Sequence, residues 1–201
     1  MIDDMFGDVP QVDVDWYPHW LSPEEAAVAF EALIDEVQWK QDIIRTPGGV
    51  KPLPRLTAWQ GDPGAVYVYS GIRNEPHDWT PTVSALKSLA ETTCATRFNS
   101  VLLNRYRSGD DSMGWHADRE PELGAEPVIA SVSLGVARRF DLRHNETGQL
   151  RAFELTSGSL LVMRGRTQRE WRHRVAKAPR VQGERINLTF RAVTSRERAG
   201  S

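Results

Sequence analysis

The octapeptide MGWHADRE, residues 113–120, sets His116 and Asp118 two positions apart, with Glu120 a further two positions on. An imidazole and a carboxylate on alternate residues of an extended segment share one side, where together they could hold a divalent metal. The same eight residues would also make an ordinary charged turn, because short His-x-Asp matches arise by chance. A second pattern lies in RINLTFR, residues 185–191. Strand alternation puts Arg185, Asn187, Thr189 and Arg191 on one side and Ile186, Leu188 and Phe190 on the other. Two guanidiniums flanking an amide and a hydroxyl inside a β core are expensive to desolvate unless an anion sits among them. On a solvent-facing strand the same charges would be harmless. In LLNRY, Asn104 and Tyr106 fall on one face and add an amide and a phenol suited to a carboxylate.

Two ligands make a weak metal site, and His173 in EWRHRV offers a third. Two histidines and a carboxylate, with no thiolate, form the facial triad of non-haem Fe(II) oxygenases, which leaves positions open for a co-substrate and O2. His19, His77 and His144 lack comparable company and read as surface or capping groups.

These side chains need a scaffold, and the pattern around them is mostly that of short strands. Ser22-Pro23-Glu24-Glu25 opens a helix running to about Val37, with serine as cap, proline in the first turn and Glu25 completing a capping box. Thr80-Pro81 opens a second, with Val83, Leu86, Leu89 and Ala90 on its apolar side. Between them, residues 43–64 are dense in Pro and Gly and read as loop, leading to a short strand at Val66–Tyr69. From residue 98 the segments FNSVLLNRY, PVIASVSLG, RRFDLRH, RAFEL, GSLLVMRG and RINLTFRAV alternate with turn signals. The expected architecture is mostly β with flanking helices: a double-stranded β-helix, or jelly roll, backed by N-terminal helices. Residues 1–97 form an N-terminal extension, 98–192 the catalytic core and 193–201 a frayed tail, in one compact domain overall.

With 201 residues the chain suits one hydrophobic core. No run approaches a membrane span, and the acidic start lacks the pattern of a signal peptide, so a cytoplasmic protein is expected. The single cysteine, Cys94, excludes an internal disulfide and a cysteine-rich zinc site; it reads as a small buried thiol at a helix end. The net charge of -2 conceals a segregation: residues 1–36 carry ten acidic groups and no Lys or Arg, whereas residues 164–180 carry seven basic groups and one acidic. Such a run is a solvated face or a phosphate contact.

The ordered blocks LLNRYRSGDDSMGWHADREPELG, PVIASVSLGVARRFDLR, GSLLVMRGRTQREWRHRV and RINLTFR closely resemble the AlkB family of Fe(II)- and 2-oxoglutarate-dependent nucleic-acid dealkylases. PRLTAWQGDPGAVYVYSG resembles the subgroup of AlkB-like repair homologues. The resemblance spans roughly residues 52–192. It implies that His116, Asp118 and His173 ligate Fe(II). It further implies that Arg185 pairs with the distal carboxylate of 2-oxoglutarate, helped by Tyr106, and that Asn104, Asn187 and Arg191 hold the end near the metal. O2 completes the reaction, an oxidative demethylation of bases such as 1-methyladenine and 3-methylcytosine that yields formaldehyde, succinate and CO2. Glu120 matches the position contacting the exocyclic amine of the base, Tyr69 the aromatic stacking on it, and Tyr67 lines the same wall.

The partners so implied are alkylated single-stranded DNA or RNA, with duplex DNA as the alternative, and the chain is expected to be a monomer away from membranes. In RTPGGVKPLPR only Val50 and Leu53 could fill the gap left by a flipped base, which argues for a single strand; Trp39 or Trp59 would be other wedges. Two competing functions are a related dioxygenase acting on RNA, protein or a small molecule, and a non-catalytic jelly roll that binds nucleic acid through its basic residues.

Overall fold

A computed structural model describes residues 10–46, 49–69 and 72–194; of residues 45, 46, 67–69 and 72–74 only the backbone is described. The chain runs through β1 (Val14–Tyr17), α1 (Pro23–Glu36), β2 (Ile43–Thr46), β3 (Gly49–Pro52), β4 (Leu56–Gly61), β5 (Tyr67–Tyr69) and β6 (Ile72–Asn74). It continues with α2 (Pro81–Cys94), β7 (Ser100–Tyr106), β8 (Met113–His116), β9 (Ile129–Gly135), β10 (Arg138–His144), β11 (Leu150–Leu155) and β12 (Ser159–Met163). The short α3 (Thr167–Glu170), β13 (Trp171–Val175) and β14 (Arg185–Arg191) complete it.

Ten of these strands build two antiparallel sheets. The larger has the order β1-β12-β9-β14-β7-β4 and the smaller β11-β10-β13-β8. Each sheet has apolar surface that must be covered. The smaller sheet lays its apolar face on the larger one, burying Ile129, Phe140, Leu142, Leu161, Met163, Trp171 and Val175 between them. The opposite face of the larger sheet, with Val101, Leu103, Val132, Leu134, Leu188 and Phe190, is covered by α1 and α2 through Ala26, Leu33, Val83, Leu86 and Ala90. The arrangement is the expected jelly roll backed by helices.

Both helices begin where the sequence places them. At α1 the hydroxyl of Ser22 accepts from the Glu25 N–H and the Glu25 carboxylate accepts from the Ser22 N–H, the reciprocal capping box. At α2 the Thr80 side chain makes no cap; the Thr80 N–H donates instead to the Gln60 side chain. Leu89, placed on the apolar side, is half exposed, because the α2 stripe facing the sheet is only Val83, Leu86, Ala90 and Cys94 wide. Cys94 ends that helix and is buried.

The stretch read as loop between the helices holds the β2–β3 hairpin and β4, which pairs with β7 at the edge of the larger sheet. Proline and glycine mark its turns, while the run LTAWQG between them pairs through long-range hydrogen bonds that local propensity does not reveal. Leu53 is buried there, and Trp59 is buried with its indole N–H donating to the Ala65 carbonyl. Trp39 packs against the core with its indole N–H on the Leu33 carbonyl, so none of these three is a free wedge; Val50 is exposed on the hairpin. Among the described residues no helix is long and apolar enough to cross a membrane.

Candidate metal and anion site between the sheets

The cavity between the two sheets is lined by side chains that alternate inward from β7, β8, β13 and β14. It encloses about 410 Å³ of space free of atoms, part of it open to solvent. Asn104, Tyr106, Arg185, Asn187, Thr189 and Arg191 all line it, together with His116, Asp118 and His173. The outward residues of the same strand, Ile186, Leu188 and Phe190, are buried beneath the helices. Alternation therefore separates a polar row from an apolar one along β14, as expected from RINLTFR.

Register brings the two histidines together: His173 of β13 stands directly opposite His116 of β8. The pairing then slips, because Val175 faces Met113, so three residues of β8 are spanned by two of β13. Strict alternation from Met113, which lines the cavity, would turn Trp115 inward and His116 outward. The extra residue of the bulge reverses that, and His116 joins Met113 in the cavity. Asp118 follows on irregular backbone and is almost wholly buried. One ligand atom from each of His116, Asp118 and His173 lies within 4.8 Å of the others. The His116 Nδ1 sits 2.9 Å from the Gly114 carbonyl, so that nitrogen carries the proton and Nε2, 3.9 Å from Asp118 Oδ1, is left with its lone pair.

Electrostatics suit a cation here. Burial pushes both imidazoles toward the neutral form; the His173 pKa falls to about 3, and its histidine neighbour adds to the shift. Burial opposes ionisation of Asp118, yet Arg191 and the two histidines hold its carboxyl below the usual range. Arg191 Nη2 bonds Asp118 Oδ2 at 3.1 Å, while Oδ1 and the His173 Nδ1 are buried without a hydrogen-bond partner. Two neutral imidazoles and an ionised carboxylate with an unused oxygen are the donor set that Fe(II) takes, and these residues fit it.

Along β14, Arg185 is fully buried, and burial lowers its pKa. Only its Nη2 is bonded, to Ser133 Oγ at 2.9 Å; Nε and Nη1 have no partner. The Tyr106 ring centre lies 5.1 Å from the guanidinium of Arg185 and 5.7 Å from that of Arg138. A second buried cation nearby sharpens the demand for an anion, which a distal carboxylate would meet. Asn187, in contrast, spends both amide hydrogens on β9, at Ser131 Oγ and the Val132 carbonyl, so it shapes the cavity rather than donating into it.

Three contributing residues escaped detection in the sequence. Arg55 is buried and donates to Asn104 Oδ1 at 2.7 Å, which fixes the amide so that its NH2 end is turned from Arg55. Arg138 ties three loop carbonyls beside Tyr106: those of Ser108, Asp111 and Ala176. Gln168, buried in α3, accepts from the Asp118 N–H at 3.0 Å, donates to Met163 Sδ and takes the Arg119 Nε on its own carbonyl. It therefore clamps the segment that carries the metal carboxylate. Arg55 stands in a Pro-flanked stretch and Gln168 in a charged run, and neither composition marks a buried position.

Glu120 is not among the side chains that line the cavity. Glu120 caps a 3-10 turn, and its buried Oε2 has no partner. Tyr67 and Tyr69 lie on β5, paired with β6, and their side chains are outside the described residues. His144, expected as a surface or capping group, ends β10 and is buried, with its Nδ1 3.1 Å from Thr147 Oγ1.

The family described as the 2OG-Fe(II) oxygenase superfamily matches residues 13–191. The chain is 42% identical over 187 residues to alpha-ketoglutarate-dependent dioxygenase alkB homolog 3 of Mus musculus, covering 88% of this chain and 65% of that protein. It is 34% identical over 180 residues to DNA oxidative demethylase ALKBH2 of Mus musculus, covering 84% of this chain and 75% of that protein. The solved structure of OsALKBH1 superposes with a TM-score of 0.62 at 18% identity, over 91% of this chain and 99% of that one, a likeness of fold. The chain thus spans slightly under two thirds of the length of the alkB homolog 3 relatives.

Proposed function

Since the chain belongs to the 2OG-Fe(II) oxygenase superfamily and to its AlkB-like group, we propose that it is an Fe(II)/2-oxoglutarate-dependent dioxygenase that demethylates N-alkylated bases in nucleic acid. The products are the restored base, formaldehyde, succinate and CO2, and the role is repair of alkylated DNA. One observation carries this reading: a single cavity joins three metal-ligand side chains to a buried arginine with two unbonded nitrogens. When bound, the iron supplies oxidation by O2 coupled to decarboxylation of 2-oxoglutarate.

The residues divide the work by position. His116, Asp118 and His173 would hold the metal, the histidines already neutral and therefore free of competing protons. Arg185 would take the distal carboxylate of 2-oxoglutarate in a bidentate fork, with Tyr106 fixing the guanidinium plane. The Asn104 NH2 would donate near the metal, where Arg191 also lies. Glu120 would accept from the exocyclic amine of a cationic methylated base through its unpartnered Oε2. Tyr69, with Tyr67 beside it, would stack on that base, a contact worth about 1–3 kcal/mol.

The substrate is proposed to be single-stranded, since the exposed large apolar side chains among the described residues of the β2–β3 hairpin, Ile43 and Val50, are aliphatic, and neither matches the area of an extruded base. The protein is further proposed to act in the cytoplasm as a monomer. The test is turnover of 1-methyladenine and 3-methylcytosine in single- and double-stranded DNA and RNA, with iron, ascorbate and 2-oxoglutarate. Base restoration that is fastest on a single strand is expected. Succinate formation with every methylated base left intact would transfer the substrate to another class of molecule.

A further inference from the structure

The seven basic groups of residues 164–180 do not form one stripe. Arg164 pairs with Asp15, and Arg166 and Arg169 both lie on Glu170. The excess of positive charge gathers elsewhere, on the outer face of the smaller sheet. There β10 and β13 turn Phe140, Leu142, His173 and Val175 inward, and Arg139, Asp141, Arg143, Arg172 and Arg174 outward.

Arg143 and Arg172 stand directly opposite each other in the antiparallel register, and both are exposed. Like charges facing across a strand pair are destabilising. Among the described residues neither has an acidic partner. Asp141, the carboxylate these two strands present outward, is already taken by Arg139 at 2.7 Å and by Arg174 at 3.0 Å. The β8 bulge adds Trp115 to the same face, with the Arg174 guanidinium 4.4 Å from its ring centre. Trp115 directly precedes His116 on an edge strand, so this face begins where the metal ligands end.

We infer that the outer face of the smaller sheet, from Trp115 and Arg174 to the Arg172–Arg143 pair, is a track for the sugar–phosphate backbone flanking the base held in the cavity. This rests on the nucleic-acid reading above. Guanidinium forks match phosphate oxygens, and a tryptophan already stacked by an arginine is the kind of surface on which an unpaired base settles. Adjacent strands are about 4.8 Å apart and alternate residues on one strand about 6.7 Å, so the three arginines form a compact row that begins at the β8 edge. A backbone that leaves the cavity mouth over that edge meets them in order.

The experiment compares wild type with the double variant R143Q/R172Q, whose exposed positions leave both cores intact. Two substrates are used, a methylated trinucleotide and a methylated single strand of about 15 nucleotides, near the upper site size of single-strand binders. Binding of the long strand is followed by anisotropy across a salt series, and demethylation of both is measured. Losing two phosphate contacts should flatten the slope of log affinity against log salt by about 1.4. Trinucleotide kcat/KM should stay at the wild-type value. R166Q, which removes an arginine already paired with Glu170, should leave the slope unchanged. An unchanged slope for the double variant, or an equal loss on the trinucleotide, would overturn the track while leaving the demethylase reading intact. Wild type that demethylates neither substrate would remove that reading and the track together.

Discussion

Arg185 and Arg191 occupy the same face of one strand, are both almost wholly buried and line the same cavity, yet they stand in opposite electrostatic situations. Arg191 has its counter-charge inside the protein, in the carboxylate of Asp118. Arg185 has only a serine hydroxyl and the face of a tyrosine. One end of the cavity holds an ion pair with a carboxylate oxygen left for a metal, and the other holds a charge without an acidic partner among the described residues. Burying a guanidinium without a partner costs several kcal/mol, so the chain keeps such a group only where a ligand repays it.

That contrast can be broken at several points. The largest effect is expected from replacing His116, Asp118 or His173 with alanine, which should abolish turnover and Co(II) binding read by its visible spectrum. Persistent metal binding in any of the three would refute the ligand set. Next come the two arginines themselves. Arg191→Met leaves Asp118 buried without its partner and should destabilise the metal-free chain by about 3–5 kcal/mol in urea melts. Arg185→Met removes an uncompensated charge, so stability without ligand should hold or rise. KM for 2-oxoglutarate should increase roughly 10- to 100-fold, the value of one or two hydrogen bonds to a charged group. If both variants lose equal stability, the two ends are not different in the way described.

A smaller effect is expected at Gln168, which touches neither metal nor co-substrate. Gln168→Leu should weaken metal affinity about 10- to 100-fold, as loss of a supporting hydrogen bond does elsewhere, with KM for 2-oxoglutarate near wild type. Gln168→Glu keeps the acceptor for the Asp118 N–H and should recover part of the loss. A more gradual change comes with pH. His116 and His173 have folded pKa values below their unfolded value of about 6.5, so the unfolded chain binds protons that the native one refuses. The metal-free protein should therefore lose stability as pH falls below about 6.5, continuing toward the His173 value of about 3. A melting temperature flat across that window would contradict neutral buried histidines.

Much of this site could be read from local pattern alone. The period of two along RINLTFR and LLNRY predicts which side chains share a face, and Arg185, Arg191, Asn104 and Tyr106 do meet in one cavity. The capping box at Ser22 and the turn signals after residue 98 place α1 and most of the sheet. Misreadings fall where pairing is long-range. The strand β4 hides in a stretch rich in Pro and Gly, and Leu53 and Trp59 look available in the sequence yet both are buried.

The sequence by itself determined the chemical inventory: two histidines, a carboxylate and a polar strand face, because residue type and alternation are local properties. Only the tertiary structure decided how the inventory is used. A bulge, invisible to a strict period of two, turns His116 inward and Trp115 outward. Strand register sets His173 against His116 across a long separation in the chain. Packing selects which arginine finds a carboxylate and which is left, among the described residues, with a serine hydroxyl and no acidic partner, since buried charge is compensated by neighbours in space and not in sequence.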